Sequence, residues 1–150
     1  MSGATNDGGG PSQEELTREA RAAMHHAYAP YSRFLVGAAI VADDGRVFAG
    51  CNVENASYPV GLCAERAAIG HAVSSGARRF TRLVVASSGA APASPCGMCR
   101  QALAEFGLDL EITSVTEDGQ ERSWSLRELL PADFRLDEMR PASIDAGVGS

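Results

Sequence analysis

Arg82-Leu83-Val84-Val85-Ala86 is a short, almost unbroken apolar run, the pattern of a strand covered on both faces. Such a strand needs helices on either side, and the neighbouring sequence supplies them. Cys63 to Ser75 is alanine-rich, with Leu62, Ala67, Ala68, Ala72 and Val73 suited to close packing on a sheet and a stop near Gly76. Cys96 to Phe106 places Met98, Ala102, Leu103 and Phe106 on one side and stops at Gly107. Further out, Ser12-Gln13-Glu14-Glu15 has the form of a capping box. Leu16, Ala20, Ala23, Met24 and Ala27 then recur at helical spacing up to Ala29-Pro30, which predicts a helix of about four turns. Phe34 to Val41, the turn Asp43-Asp44-Gly45, and Arg46 to Gly50 read as a hairpin. Leu108 to Val115 and Gln120 to Trp124, joined at Glu117-Asp118-Gly119, add two strands, and Leu126 to Leu130 a helical turn. The order α-β-β-α-β-α-β-β specifies an α/β fold, a three-layer α/β/α sandwich on a mixed five-stranded sheet.

The chain of 150 residues, 45% hydrophobic and 21% charged, suits one domain with a substantial core. We place that domain at 12–134, with tails expected to be loose at 1–11 and 135–150, where apolar content is too low to offset the entropy of ordering. No apolar run approaches the roughly 20 residues that cross a bilayer, and the N-terminus lacks a secretory pattern, so a cytoplasmic protein without a membrane partner is expected. A net charge of −6 disfavours a nucleic-acid partner, since such binding comes largely from neutralising phosphates. All 13 Lys+Arg residues are arginine, which excludes lysine Schiff-base chemistry.

Chemistry concentrates in Cys63-Ala64-Glu65-Arg66 and Pro95-Cys96-Gly97-Met98-Cys99-Arg100. Cys96 and Cys99 share one face of a helical first turn, and Cys63 sits where its own helix begins. Helix N-termini carry partial positive charge, which favours the thiolates that zinc requires. Three thiolates leave a tetrahedral ion one position for water, and a carboxylate beside it can move protons. Glu65 is that carboxylate, although a first-turn acid is also favoured by the helix dipole alone. Arg66 and Arg100 follow the two motifs, where each can either donate hydrogen bonds to the sulfurs and offset the negative charge of the cluster or be an ordinary surface arginine. Cys51 would close the site if it were a fourth ligand; its place at a strand end reads as buried filler. His25, His26 and His71 lack ligand spacing, and His71 reads as a packed, hydrogen-bonded residue.

These two motifs resemble those of the cytidine deaminases, in particular the small homotetrameric type with three cysteine ligands. The resemblance extends to Tyr31-Ser32-Arg33-Phe34-Leu35-Val36-Gly37-Ala38-Ala39, to Gly50-Cys51-Asn52-Val53-Glu54-Asn55-Ala56 and to Leu129-Leu130-Pro131, spanning 16–134. It implies one zinc per chain on Cys63, Cys96 and Cys99, with Glu65 carrying protons between the activated water, N3 of cytosine and the departing amine. It implies Phe34 beside the pyrimidine, Asn52 and Glu54 on the ribose 3'-hydroxyl, and the N–H of Ala64 on the base carbonyl. It further implies a homotetramer with shared active sites, in which Ala56 and Tyr58 reach the 5'-hydroxyl in one neighbour and Phe134 stacks on the base in another. Arg135-Leu136 follows Phe134 where relatives commonly continue Gly-Pro, and Leu35 stands where they often have proline.

The expected reaction is hydrolysis of cytidine and deoxycytidine to uridine and deoxyuridine with release of ammonia, in pyrimidine salvage. No residue is assigned to the 2'-hydroxyl, hence the breadth in the sugar. A deaminase of nucleoside antibiotics such as blasticidin S is the nearest alternative, disfavoured by Glu54. A polynucleotide editor would want a basic, aromatic-lined track, which the motifs lack. A non-catalytic zinc-stabilised interaction domain is the alternative from another class.

Overall fold

The computed structural model describes residues 9–141. A five-stranded mixed sheet runs in the order β2-β1-β3-β4-β5, built from β1 (Val36–Ala42), β2 (Val47–Cys51), β3 (Phe80–Ser87), β4 (Glu111–Thr116) and β5 (Glu121–Ser125). Only β3 and β4 pair in parallel, with Leu83 opposite Ile112 and Val85 opposite Ser114; the other neighbours are antiparallel. β3 lies at the centre, so both its faces are covered, as its near-continuous apolar sequence requires.

Helix α1 (Gln13–Met24) covers one face and α2 (Ala64–Ser74) with α3 (Gly97–Ala104) covers the other, completing three layers. Side-chain alternation along β3 divides the core: Val84 and Ala86 join Leu16, Ala20 and Met24 under α1, whereas Leu83 and Val85 join Ala64, Ala68, Ala72 and Leu103 under α2 and α3. The capping box at Ser12 and Glu15 is formed. α1 is shorter than the sequence predicts: it stops at Met24 because the chain turns at His25 to bring Tyr28 beside Val53. The short helix α4 (Leu126–Leu129) follows β5, its first turn capped by Ser125.

Two glycines set how closely the helices approach. A Cβ on Gly37 in β1 would stand 2.0 Å from the carbonyl oxygen of Ala20, and one on Gly50 in β2 would stand 2.4 Å from the nitrogen of Ala68. These strand positions admit α1 and α2 directly onto the backbone. Of the expected tails, 1–8 and 142–150 lie outside the described residues; at the other end Asp137–Met139 forms a 3-10 turn, with Arg135 paired to Asp133. Among the described residues no helix is long and apolar enough to cross a membrane.

Candidate active site

Cys63 is the N-cap of α2 and Cys96 the N-cap of α3, both in extended backbone conformation, and neither uses its side chain to cap. Their sulfurs are therefore free to project from the two helix starts. Cys99 occupies the third helical position of α3, where a side chain faces that of the N-cap. The three Sγ atoms lie within 4.8 Å of one another, with Cys63 and Cys96 3.8 Å apart. Tetrahedral zinc with Zn–S bonds of about 2.3 Å sets its sulfurs about 3.8 Å apart, so this donor set fits that ion. Cys51 lies outside the cluster; it is half-buried in β2 opposite Gly37, more open than the buried filler expected there, because β2 is an edge strand.

Glu65 stands two positions after Cys63, an interval that does not share a face within a helix. The extended cap at Cys63 removes that obstacle. The Glu65 side chain is 6% exposed, and its Oε2 accepts the Cys99 thiol at 3.5 Å. Burial foremost, and the charge on Cys63, push its carboxyl above the usual range. Hydrogen bonding from Cys99, then from Arg66 and Cys96, draws the Cys63 thiol down to about 5. The same pairing with Cys63, together with burial and the Glu65 charge, holds Cys99 well above an ordinary thiol. Nη2 of Arg66 donates to the Cys63 sulfur at 3.8 Å and to the Gly61 carbonyl at 3.3 Å. Arg100 does not meet the sulfurs: its guanidinium donates to Pro95 O at 2.8 Å, Leu129 O at 2.9 Å and Ser94 Oγ at 3.1 Å. Those bonds fix the loop that delivers Cys96 onto α4, a role invisible in sequence because Leu129 lies far along the chain.

The cluster opens into a cavity of about 190 Å³ whose walls include Phe34, Val36, Asn52, Cys63, Ala64, Glu65 and Cys96. Phe34 is 36% exposed and belongs to neither half of the core. Ala64 is the first residue of α2, whose N–H has no intrahelical partner. Glu54 borders a second hollow of about 370 Å³ with Tyr31, Ser32 and Tyr58. Ala56 and Phe134 border neither hollow, Tyr58 is 79% exposed and Phe134 60% exposed. The single chain thus brings six of the expected residues, Phe34, Asn52, Cys63, Ala64, Glu65 and Cys96, to one cavity and leaves the Tyr58 and Phe134 rings facing outward.

Sequence reasoning missed two residues that hold this arrangement. Gln101 in α3 donates from Nε2 to Phe134 O at 3.0 Å and accepts the Phe134 N–H at 3.0 Å, pinning that backbone as a strand partner would. Gly89 makes room for the Phe34 ring, since a Cβ there would stand 2.9 Å from Cε2. Neither carries a sequence signal: an amide on a helix and a glycine in a loop acquire these roles only through contacts distant in the chain.

The sequence pattern of the cytidine and deoxycytidylate deaminase zinc-binding region matches residues 11–114. The chain belongs to this family. Every deaminase site residue expected from sequence, apart from Phe134, lies within the matched segment. The chain is 41% identical over 133 residues to the cytidine deaminase of Sporosarcina psychrophila, covering 87% of this chain and 96% of that protein. It is 44% identical over 124 residues to a cytidine deaminase of Mycobacterium tuberculosis, covering 83% and 90% respectively. Its fold superposes on the crystal structure of a cytidine deaminase from Burkholderia pseudomallei with a TM-score of 0.79 at 45% identity, covering 83% of this chain and 100% of that one.

Proposed function

We propose that this chain is a zinc-dependent cytidine deaminase that hydrolyses cytidine and deoxycytidine to uridine and deoxyuridine, releasing ammonia. The observation that carries the reading is the convergence of three cysteine sulfurs and the buried carboxylate of Glu65 on one wall of a cavity bordered by Phe34 and Asn52. Cys63, Cys96 and Cys99 would hold the zinc. When bound, the ion supplies a Lewis acid with one open position at which water is activated.

Glu65 takes one proton from the attacking water and gives it to N3, which makes C4 electrophilic; once the C4–O bond has formed, it takes the second proton from that oxygen and hands it to the amine, so that C4–N breaks, ammonia leaves and the C4 carbonyl remains. Its burial suits it to both halves of that exchange, since a carboxyl out of water gives up and takes protons nearer neutrality. The N–H of Ala64 orients the base through its carbonyl, and Phe34 packs against the ring. Asn52 and Glu54 take the 3'-hydroxyl. Ala56 and Tyr58 of one neighbouring subunit and Phe134 of another complete the site in a homotetramer; their exposure in the single chain supports that assignment. The enzyme is read as cytoplasmic, in keeping with the lack of a membrane-crossing helix among the described residues.

Loss of cytidine absorbance coupled to ammonia release tests this reading. Wild type turns over with one zinc per chain, and Glu65→Gln keeps its zinc while losing about 10²–10⁴-fold in kcat. A zinc-loaded protein that deaminates neither nucleoside nor blasticidin S ends the enzyme reading, and turnover of blasticidin S alone reassigns the substrate.

A further inference from the structure

Ser32 lines the hollow of Glu54 and is hydrogen-bonded both to Glu54 and to Phe34, which lines the cavity beside the cysteines. Its hydroxyl donates to Oε2 of Glu54 and accepts the backbone N–H of Phe34 at 3.0 Å. Oε1 of Glu54 accepts the backbone N–H groups of Tyr31 at 3.0 Å and Ser32 at 3.1 Å. From the other side, Nδ2 of Asn52 donates to the Phe34 carbonyl at 2.8 Å and its Oδ1 accepts the Val36 N–H at 2.9 Å. Both polar backbone groups of Phe34 are therefore held by side chains. These bonds fix an unusual loop. Arg33, between Ser32 and Phe34, has φ of 58°, the one non-glycine residue with positive φ among the described residues. A chain not held on both sides rarely keeps an arginine there.

We infer that Ser32 is a positioning residue that couples sugar recognition to base recognition, its hydroxyl orienting the Glu54 carboxylate while fixing Phe34 against the pyrimidine. This rests on reading Glu54 as the ligand of the 3'-hydroxyl. A carboxylate bound by one hydroxyl and two backbone N–H groups has little rotational freedom left, so its remaining acceptor capacity points one way. Removing the Ser32 hydroxyl releases one carboxylate oxygen and leaves the Phe34 N–H without that acceptor. Both halves of the substrate then meet a looser site, and the loss falls on binding because no proton in the reaction passes through Ser32.

Steady-state kinetics on cytidine and 3'-deoxycytidine, for the zinc-loaded protein carrying Ser32→Ala, Ser32→Thr or Glu54→Gln, tests the coupling. Ser32→Ala raises KM for cytidine about tenfold with kcat within about twofold, and Ser32→Thr, which keeps the hydroxyl, recovers most of it. For 3'-deoxycytidine the same variant raises KM by only about threefold, the part transmitted through Phe34. Zinc content and melting temperature of each variant separate these changes from unfolding. A Ser32→Ala enzyme with wild-type KM on both substrates, or one whose activity falls only in step with its folded fraction, overturns the inference. Glu54→Gln reports on the premise separately: if it discriminates the two substrates as wild type does, the reading of Glu54 fails and the coupling with it. If it loses that discrimination while Ser32→Ala keeps it, only the inference fails.

Discussion

Arg66 carries a positive charge to a cluster that must hold three negative sulfurs. Its Nη2 reaches Cys63 Sγ at 3.8 Å and is steadied by the Gly61 carbonyl, so the charge is delivered at a fixed place. Without it, thiolates are less stable and protons compete better with the metal. Arg66→Ala is expected to weaken zinc affinity about 10–100-fold, the usual cost of losing a partner of a metal ligand. Acid-induced zinc release is expected to move to higher pH, because a less stable thiolate is protonated sooner as pH falls. Zinc retention against a chelator, measured across pH for both proteins, reads both effects. The roles of Cys63, Glu65, Cys96, Cys99 and Arg66 could be argued from sequence because metal chemistry uses few residue types at short, fixed spacings. Arg100 could not: its place after Cys99 suggested the sulfurs, and its actual acceptors are carbonyls of Pro95 and Leu129.

At the scale of elements, the site depends on two helix starts meeting at one point, and their approach depends on what lies beneath them. Gly50 lets the backbone of α2 sit on β2, and α2 carries both Cys63 and Glu65. Gly50→Ala places a methyl 2.4 Å from Ala68 N and 2.8 Å from Ala67 C. Since backbone cannot yield as a flexible side chain does, the variant is expected to lose about 1–3 kcal/mol of stability and to displace the metal site. Gly70 in the same helix meets nothing within 4 Å, so Gly70→Ala should be neutral or stabilising by about 0.5–1 kcal/mol. Thermal melting with zinc content distinguishes the two substitutions. The helices themselves were legible from capping signals, alanine spacing and the stops at Gly76 and Gly107, both of which have positive φ. The end of α1 is not legible in the sequence, because local apolar spacing continues to Ala27, whereas pairing of Tyr28 with Val53 draws the chain away after Met24.

For the whole molecule, the outward aromatics Tyr58 and Phe134 are where site sharing between subunits is tested. Phe134 is 60% exposed, and Gln101 holds its backbone so that the ring is presented at a defined place on the surface. If neighbouring subunits share sites, Phe134→Ala raises KM, and Glu65→Gln abolishes turnover in its own subunit while still lending its Phe134. Co-expressing the two variants should therefore restore wild-type-like KM at about a quarter of the sites, given random pairing of two subunit types. Kinetics of the purified mixed assembly, with sedimentation to establish its size, measures this. An active monomer, or a mixture that is merely the average of its parents, argues against shared sites.

The sequence alone determined the layers, the sheet and the reactive residues. Each follows from short-range physics: a central strand must be apolar on both faces, helices announce their ends, and zinc accepts a narrow set of ligands. Tertiary structure decided what those residues can do together. The extended caps at Cys63 and Cys96 turn two sulfurs toward Cys99, and burial sets the Glu65 carboxyl out of solvent beside the Cys99 thiol instead of leaving it a solvated helix acid. Ser32, Gly89, Arg100 and Gln101 gained their parts only when distant segments met, because hydrogen bonds and close contacts depend on position in space, which spacing along the chain does not record.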